Sequence, residues 1–237
     1  MPTEHSERFI PSFRLDGIFQ SVRVRRVVGK LLRNNPTQLL WRQTHDYANI
    51  GCGGNILDGF LNVDYGWHRG AVCWDITKGL PIKTHSLDGL FCEHALEHFE
   101  WRVAVDTILP EFKRVLRPGG TLRIVVPDAE YAIDQYNAAR DAGETAARWD
   151  KPRMSADRLH LTPMAKVNNH FRRIYEPYEM GHKFMYDYQT LEYFLELSGF
   201  RDIQRTKFME GRDARLLVDY EKRREESLYV EASAHAA

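Results

Sequence analysis

The residues of this sequence with the clearest chemical potential lie in the stretch FCEHALEHFE, residues 91–100. His94, Glu97 and His98 have the spacing H-x-x-E-H, which in one class of zinc peptidases supplies two histidine ligands and a glutamate base. On a helix, His94 and His98 would lie one turn apart and could bind the same ion, with Glu97 as the base. The stretch therefore raises the hypothesis of a zinc hydrolase.

A second set of candidate residues begins with the glycine-rich stretch NIGCGGN, residues 49–55. Gly51, Gly53 and Gly54 would let the backbone approach a ligand closely, because glycine has no side chain to collide with it. Dinucleotide-binding turns have the spacing G-x-G-x-x-G, but here Ile56 stands three residues after Gly53. NAD binding is therefore disfavoured.

Two carboxylates follow the glycine turn at the ends of apolar runs. Asp64 ends FLNVD and Asp75 ends AVCWD, and both runs are predicted as strands. The first carboxylate could accept hydrogen bonds from both ribose hydroxyls, and the second could accept one from an adenine amino group. Either aspartate alone could be a strand-end cap. A glycine turn and two acids at three successive strand ends indicate a ligand-binding edge, because ligands bind there in parallel sheets.

The elements that must position these residues are short apolar runs that alternate with amphipathic helices. The runs are YANI (47–50), FLNVD (60–64), AVCWD (71–75), LDGLFC (87–92), TLRIVV (121–126) and ARLLVDY (214–220). Continuous apolar runs are typical of strands buried on both faces of a mostly parallel sheet. One helix is predicted before RPGG, and another over YDYQTLEYFLELSGF, with Asp187 as N-cap and Gly199 as its stop. The alternation predicts an α/β sandwich.

Three segments do not fit this alternation. Residues 18–33 predict a basic amphipathic helix, which either caps the core or contacts an anionic membrane surface or an acidic partner. Residues 143–186 are rich in His, Arg, Tyr, Met and Pro, as an inserted lid or substrate-contacting region would be. Residues 223–237 are interpreted as a C-terminal tail that ends in a disordered EASAHAA. The predicted organisation is an N-terminal extension over 1–45 and a domain over 46–222 that contains the insertion.

Composition restricts the classes of function. The chain of 237 residues has zero formal net charge, so its overall charge gives no reason to expect nucleic acid as a partner. Its three cysteines have no disulfide or metal-site spacing, and its N-terminus lacks the apolar core of a signal peptide. No apolar run approaches the ~20 residues needed to cross a bilayer. A cytoplasmic protein is expected, with membrane contact only through the basic helix.

In this order, the motifs resemble those of the class I S-adenosylmethionine-dependent methyltransferases, from about Tyr47 to Tyr220. NIGCGGN is similar to the first motif of that family, NVD to its second-strand acid and DITKGLP to its adenine-side motif. SLDGLFCEHALEHF resembles the fourth strand and the helix after it, and LPEFKRVLRPGGTLRIVVPD resembles the last core helix and fifth strand. The closing LLVDYEKRREESLYVEA is like a bacterial subgroup associated with surface polysaccharides or small-molecule tailoring. The resemblance implies a Rossmann-like sandwich, whose seven-stranded sheet is mostly parallel with an antiparallel C-terminal strand.

The resemblance also implies S-adenosylmethionine as cofactor and a role for each motif residue. Asp64 would bind the ribose, and Asp75 would bind the adenine together with the backbone of Ile76. Glu93 would lie near the donor methyl group and the acceptor. The residues predicted to bind the methionine part belong to the glycine turn: Asn49, Gly51, Cys52 and Gly53.

Two features depart from the wider family. Asn49 and Asn55 stand where an acid and a third glycine are favoured. Only six residues, Asn55 to Phe60, separate the first two predicted strands, whereas a parallel crossover normally needs a dozen or more residues and a helix. The first crossover is therefore predicted to be abbreviated, which would leave the cofactor more exposed on that side.

The same resemblance argues against the zinc hydrolase. EHALEHF occupies the place of a Leu-Glu-His run in that family, and no later segment resembles a third zinc ligand on a glutamate-bearing helix. No metal is therefore expected. Methyl transfer to a hydroxyl needs a base, and the candidates are His94, His170 and His182, of which His182 is the first choice. Asp128 is a further candidate, either as the base or as the carboxylate that orients His182.

The leading functional hypothesis is a methyltransferase that acts on a hydroxyl of a sugar, a glycan intermediate or another small molecule. One alternative keeps the fold and replaces the acceptor with a nitrogen, a carbon or a macromolecule. Another makes the chain a non-catalytic S-adenosylmethionine-binding regulator or scaffold, with the basic helix as its docking surface.

Overall fold

Seven strands form one sheet in the computed structural model, which describes residues 22–39, 45–142, 164, 167 and 181–235. Numbered along the chain, the strands are β1 (Tyr47–Ile50), β2 (Leu61–Asp64), β3 (Val72–Cys73), β4 (Leu87–Glu93), β5 (Leu116–Pro127), β6 (Phe200–Thr206) and β7 (Ser227–Ala234). Their order in the sheet is β3-β2-β1-β4-β5-β7-β6, and only the pairings of β7 with β5 and with β6 are antiparallel. The predicted fold class is confirmed.

The helices pack against this sheet or lie beside its edge. They are α1 (Val22–Leu32), α2 (Trp101–Val103), α3 (Leu109–Val115), α4 (Ala129–Asp141) and α5 (Tyr188–Leu197). A π-helical turn, Ala104–Ile108, joins α2 to α3 and buries Ile108 in the core. The Asp187 carboxylate accepts a hydrogen bond from the Thr190 N–H at 2.8 Å, and Gly199 follows α5 with a φ of 83°, so both predicted ends of this helix are confirmed.

Pairing of the central strands brings the predicted ligand-binding residues to one edge of the sheet. β1 is buried along its whole length and runs parallel to both β2 and β4. Ile50 lies opposite Val63 and Cys92, so Gly51, Asp64 and Glu93 follow at the same level. The carboxyl ends of β1, β2 and β4 therefore form a common edge.

The connection from β1 to β2 contains no helix, so the predicted abbreviated crossover is confirmed. Two buried asparagines hold this short loop together. Asn62 accepts from the Leu57 N–H at 3.0 Å and donates to the Leu57 carbonyl at 2.9 Å. Asn49 donates to the Asn55 carbonyl and to Asn62 Oδ1, both at 2.9 Å. These side chains bind backbone N–H and C=O groups of the loop, which in a crossover helix would have bonded to one another.

The last part of the sheet differs from the sequence-based prediction. The strand predicted over 214–220 is wrong, because only a 3₁₀ turn, Ala214–Leu216, lies there. The segment interpreted as a tail, 223–237, instead contains β7, which is buried between β5 and β6. The small residues of EASAHAA suggested a disordered tail, but this part of β7 is buried, and the Glu231 carboxylate pairs with the buried guanidinium of Arg123 at 3.0 Å.

The N-terminal helix is confirmed over Val22–Leu32, within the predicted 18–33. It is followed by Arg33, whose Nε donates to the Tyr65 carbonyl at 3.1 Å and whose guanidinium lies over the Tyr65 ring. Most of the predicted lid, 143–186, lies outside the described residues. No helix in the described part of the chain is long and apolar enough to span a bilayer.

Candidate functional site

A cavity of about 650 Å³ lies at the edge formed by the carboxyl ends of the strands. All eight residues predicted to bind the cofactor line it: Asn49, Gly51, Cys52, Gly53, Asp64, Asp75, Ile76 and Glu93. Two of the predicted catalytic residues, His94 and His182, line the same cavity. The structure therefore brings a predicted nucleoside-binding edge and a histidine-rich end into one continuous space.

The glycines of the turn have different physical reasons to be glycine. Gly51 and Gly53 both have left-handed backbone conformations, with φ values of 72° and 50°. A Cβ on Gly51 would collide with the Cβ of Ala95, so this glycine is required by packing within the protein. A Cβ on Gly53 or Gly54 would meet no atom of the described residues within 4 Å and would project into open space. That open cradle fits the close approach of a cofactor.

Asp64, the predicted ribose-binding residue, accepts a hydrogen bond from the glycine turn. Its Oδ2 accepts a hydrogen bond from the Gly53 N–H at 2.8 Å, and its Oδ1 accepts one from the Gly66 N–H at 2.7 Å. Burial raises the pKa of Asp64, against the opposing effects of the nearby His68 ring and of these two N–H groups. Each carboxylate oxygen has a further lone pair, so Asp64 can hold the glycine turn and still accept from ribose hydroxyls.

Asp75 caps a short 3₁₀ turn beside the cavity. Its Oδ1 accepts from the Thr77 N–H at 3.1 Å and from the Thr77 hydroxyl at 2.7 Å. Its own N–H donates to Asn34 Oδ1 at 2.8 Å, which ties the predicted adenine end to the segment after α1. This role of Asn34 could not be predicted from the sequence, because nothing in NNP indicates a contact with a residue so far along the chain.

The histidine-rich end of the cavity surrounds one buried carboxylate. We call this group the Glu97 cluster: Glu97, His94, His98 and His182. Glu97 is fully buried, and its Oε1 lies 3.6 Å from His94 Nδ1, 3.8 Å from His182 Nε2 and 4.0 Å from His98 Nε2. The His98 and His182 rings meet edge to face with centroids 5.0 Å apart. Three imidazoles therefore converge on a single carboxylate at the cavity wall.

Backbone hydrogen bonds hold the distant His182 in this cluster. The N–H groups of Lys183 and Phe184 both donate to the Glu97 carbonyl, at 2.8 and 3.2 Å. The Nδ1 of His98 lies 3.3 Å from the Gly181 carbonyl, which can only accept, so Nδ1 carries the proton of a neutral ring. Burial lowers the pKa of His98, with Arg223 and Lys183 acting in the same direction.

The H-x-x-E-H stretch does not form the helix that a zinc peptidase requires. His94 has a φ of 48° directly after β4, and only a 3₁₀ turn, Leu96–His98, follows. The His94 Nε2 instead lies 2.8 Å from the Ser227 hydroxyl at the start of β7. Glu97 and His98 were predicted site residues only under the disfavoured zinc hypothesis, and not as part of a methyltransferase site. The repeated EH in EHALEHF was the available signal, but its partner at His182 is too distant in the sequence to be inferred from spacing.

The structure does not bring the catalytic candidate Asp128 into the cavity. Asp128 is the N-cap of α4, where it accepts from the Glu130 N–H at 2.9 Å and pairs with Arg205 at 2.9 Å. It is not among the residues that line the cavity, and the carboxylate beside His182 is that of Glu97. The predicted orientation of His182 by Asp128 is therefore not supported by the described residues. His170 lies outside the described residues.

Glu93 also lines the cavity. Its Oε1 accepts a hydrogen bond from the Tyr220 N–H at 3.0 Å, and burial raises its pKa. Tyr220 and Arg223 line the cavity on the same side.

Comparison with known proteins agrees with this reading of the cavity. Residues 49–124 match the family model described as methyltransferase domain, and this range contains the glycine turn, both aspartates and the EHALEHF stretch. No curated protein matches the chain. The match confirms the predicted enzyme class, a methyltransferase, and the predicted cofactor, S-adenosylmethionine.

Solved structures that resemble the chain include several methyltransferases at low sequence identity. A S-adenosylmethionine-dependent methyltransferase from Thermotoga maritima is 13% identical over 93% of this chain and 96% of that chain, with a TM-score of 0.46. One from Archaeoglobus fulgidus is 14% identical over 88% and 94%, with a TM-score of 0.44. Phosphoethanolamine N-methyltransferase 2 from Haemonchus contortus, solved with S-adenosyl-L-methionine, is 11% identical over 96% and 61%, with a TM-score of 0.42.

Proposed function

We propose that the chain transfers a methyl group from S-adenosylmethionine to a hydroxyl of a small molecule, a sugar or a glycan intermediate that binds at the Glu97 cluster. The observation that carries this proposal is the convergence of three imidazoles on buried Glu97 in the cavity that the cofactor residues line. A hydroxyl must lose a proton during methylation, so a hydroxyl acceptor needs such groups. A neutral amine already has a free lone pair and does not.

The nucleoside end of the cavity would fix the cofactor. Asp64 would accept from the ribose hydroxyls while it holds the Gly53 N–H, and Asp75 would accept from the adenine amino group through the oxygen that does not cap the 3₁₀ turn. The open space at Gly53 and Gly54 would receive the methionine part. These contacts leave the Glu93 and His94 end of the cavity for the acceptor.

When bound, S-adenosylmethionine supplies an electrophilic methyl group whose bond to sulfur breaks as the new carbon–oxygen bond forms, with the electron pair remaining on sulfur. The protein has to align the acceptor oxygen and receive its proton. His182 is the first candidate for this proton, since its ring lines the cavity and Glu97 lies beside its Nε2. His94 is the second candidate, and His170 is the third.

The proposal is tested by incubating the protein with labelled S-adenosylmethionine and a panel of sugar nucleotides, glycan intermediates and small hydroxylated compounds. Transfer of label to an oxygen, established by mass spectrometry of the product, would support it. Transfer to nitrogen, to carbon or to a macromolecule would keep the enzyme class and overturn the acceptor. Tight S-adenosylhomocysteine binding with no transfer to any member would favour a regulator or scaffold.

We also propose that the protein acts in the cytoplasm and contacts an anionic membrane surface through α1. Val27 and Leu31, one turn apart, are 58% and 74% exposed and lie beside the exposed Arg26 and Lys30. Apolar side chains flanked by basic ones are typical of helices that lie in a membrane interface.

A further inference from the structure

The distances within the Glu97 cluster are unsuitable for direct hydrogen bonds. A side-chain hydrogen bond from nitrogen to oxygen spans about 2.7–3.2 Å, whereas Oε1 of Glu97 lies 3.8 Å from His182 Nε2 and 4.0 Å from His98 Nε2. Ligands about 2.1 Å from a tetrahedral zinc ion are about 3.4 Å apart. The observed separations are therefore close to those of atoms that share a metal.

The proton arrangement on His98 supports a cation at the same place. Because its Nδ1 proton points to the Gly181 carbonyl, Nε2 of the neutral ring has a lone pair. That lone pair lies on the side of the Glu97 carboxylate. A histidine whose other ring nitrogen donates to a backbone carbonyl is also the usual arrangement of a metal ligand.

We propose that Glu97, His98 and His182 bind one divalent transition-metal ion, of which Zn²⁺ is the best fit. One ligand atom from each of these three residues lies within 4.8 Å of the others. Two imidazole nitrogens and one carboxylate oxygen form the donor set of catalytic zinc sites that keep a coordination position open. All three residues line the cavity, so the open position would face the acceptor.

This inference rests on the proposed function and refines it. An ion at the Glu97 cluster would lower the pKa of an acceptor hydroxyl that approaches it. His182 would then act as a ligand, and His94, which lies outside the three-residue set, would be placed to receive the proton. The inference also replaces the expectation of a metal-free site. That expectation relied on the lack of a third ligand downstream of EHALEHF, and the fold supplies one in His182.

The backbone contacts of the cluster would hold the ligands before the ion arrives. Lys183 and Phe184 bind the Glu97 carbonyl, and Gly181 binds His98, so the loop with the third ligand is attached directly to the first two. Little ordering would accompany ion binding, which favours affinity.

Zinc titration of the whole chain tests the proposal. After dialysis against a chelator, calorimetry with Zn²⁺ alone should show one ion per chain with a Kd below about 1 μM. Glu97→Gln, His98→Ala and His182→Ala should each weaken binding by at least about 100-fold, because outer-shell changes alone cost 10- to 100-fold. His235→Ala removes an exposed histidine that pairs with Asp202 and should leave zinc binding unchanged. Loading with Co²⁺ should give the visible absorption of a four-coordinate site, which Glu97→Gln should abolish.

Binding of S-adenosylhomocysteine by the same preparations separates the two proposals. Stoichiometric zinc that is lost in the ligand variants, while each variant still binds S-adenosylhomocysteine, supports the site. A wild-type protein that binds S-adenosylhomocysteine but no stoichiometric zinc or cobalt overturns the metal inference and leaves the proposed function intact. Zinc binding that survives in both His98→Ala and His182→Ala also overturns it. Failure to bind S-adenosylhomocysteine counts against the proposed function and still allows the zinc result to be read.

Discussion

Nε2 of His182 lies 3.8 Å from Oε1 of the buried Glu97, although the two residues are far apart in the sequence. Glu97 belongs to the 3₁₀ turn after β4, and His182 precedes α5. The turn and the segment are joined by two N–H groups that donate to the Glu97 carbonyl. This contact places His182 at the end of the cavity where the acceptor is proposed to bind.

His182→Ala should lower turnover by about 10²–10⁴-fold with cofactor affinity nearly unchanged, the usual effect of removing a group that takes up a proton or activates the acceptor. Steady-state kinetics and S-adenosylhomocysteine calorimetry give the two quantities. If the imidazole itself is the base, turnover of the wild type falls as pH drops through its pKa, and this acidic limb disappears in the variant. His94→Ala is the matched comparison. Full turnover in His182→Ala with loss in His94→Ala would move the proton acceptor to His94.

Asp64→Ala should weaken S-adenosylhomocysteine binding by about 2–3 kcal/mol, or about 30- to 150-fold, because it removes the ribose acceptors and releases the Gly53 N–H. Asp64→Asn should be nearly as harmful, since an amide cannot accept at both positions. Burial raises the pKa of Asp64, so the carboxylate is protonated at a higher pH than an ordinary aspartate, and affinity should fall as pH is lowered through that region. Calorimetry across pH checks both effects. An Asp64→Ala protein with wild-type affinity would remove the ribose assignment.

Gly51→Ala and Gly53→Ala should separate stability from cofactor binding. Both glycines have positive φ, so both changes introduce backbone strain of about 1 kcal/mol. Only the Gly51 methyl group collides with Ala95, so Gly51→Ala should lower the melting temperature more. Gly53→Ala projects its methyl group into the cavity and should weaken S-adenosylhomocysteine binding while the protein stays folded. Equal loss of melting temperature in the two variants, with unchanged affinity in Gly53→Ala, would contradict a close approach of the cofactor to Gly53.

The parts of this fold that could be predicted from the sequence are those with local causes. β1, β2 and β4 are continuous apolar runs, and the residues that end them carry the glycine turn and the carboxylates, so the cofactor edge follows from residue order. The Glu97 cluster does not, because its geometry depends on a contact between the turn after β4 and the segment before α5.

β7 was missed for a different physical reason. Its Glu231 and the Arg123 of β5 are fully buried charges that pair across the sheet, and Asp219 pairs with the same guanidinium at 2.6 Å. Small residues around a charge are typical of an exposed segment, so the sequence pattern assigned EASAHAA to a disordered tail. Only the tertiary structure shows that the charges compensate one another.

Changing Arg26 and Lys30 of α1 to Gln should weaken binding to anionic vesicles, and the remaining binding should decrease further as salt is raised. Each basic residue near such a surface contributes about 1 kcal/mol, so the double change should cost at least about tenfold. Co-sedimentation with phosphatidylserine vesicles measures this, and neutral vesicles are the control. S-adenosylhomocysteine affinity should not change, because neither residue lines the cavity. Wild-type protein that ignores anionic vesicles even at low salt would show that α1 only covers the core.

A crystal structure of the protein with S-adenosylhomocysteine tests the central claim most directly, because it measures where the cofactor lies relative to the Glu97 cluster. The ribose hydroxyls should lie within about 2.7–3.2 Å of the Asp64 carboxylate, and the adenine should lie beside Asp75. The sulfur atom should face the side of the cavity formed by His94 and His182. A cofactor bound away from Asp64, or bound with its sulfur pointing away from the cluster, would contradict the account.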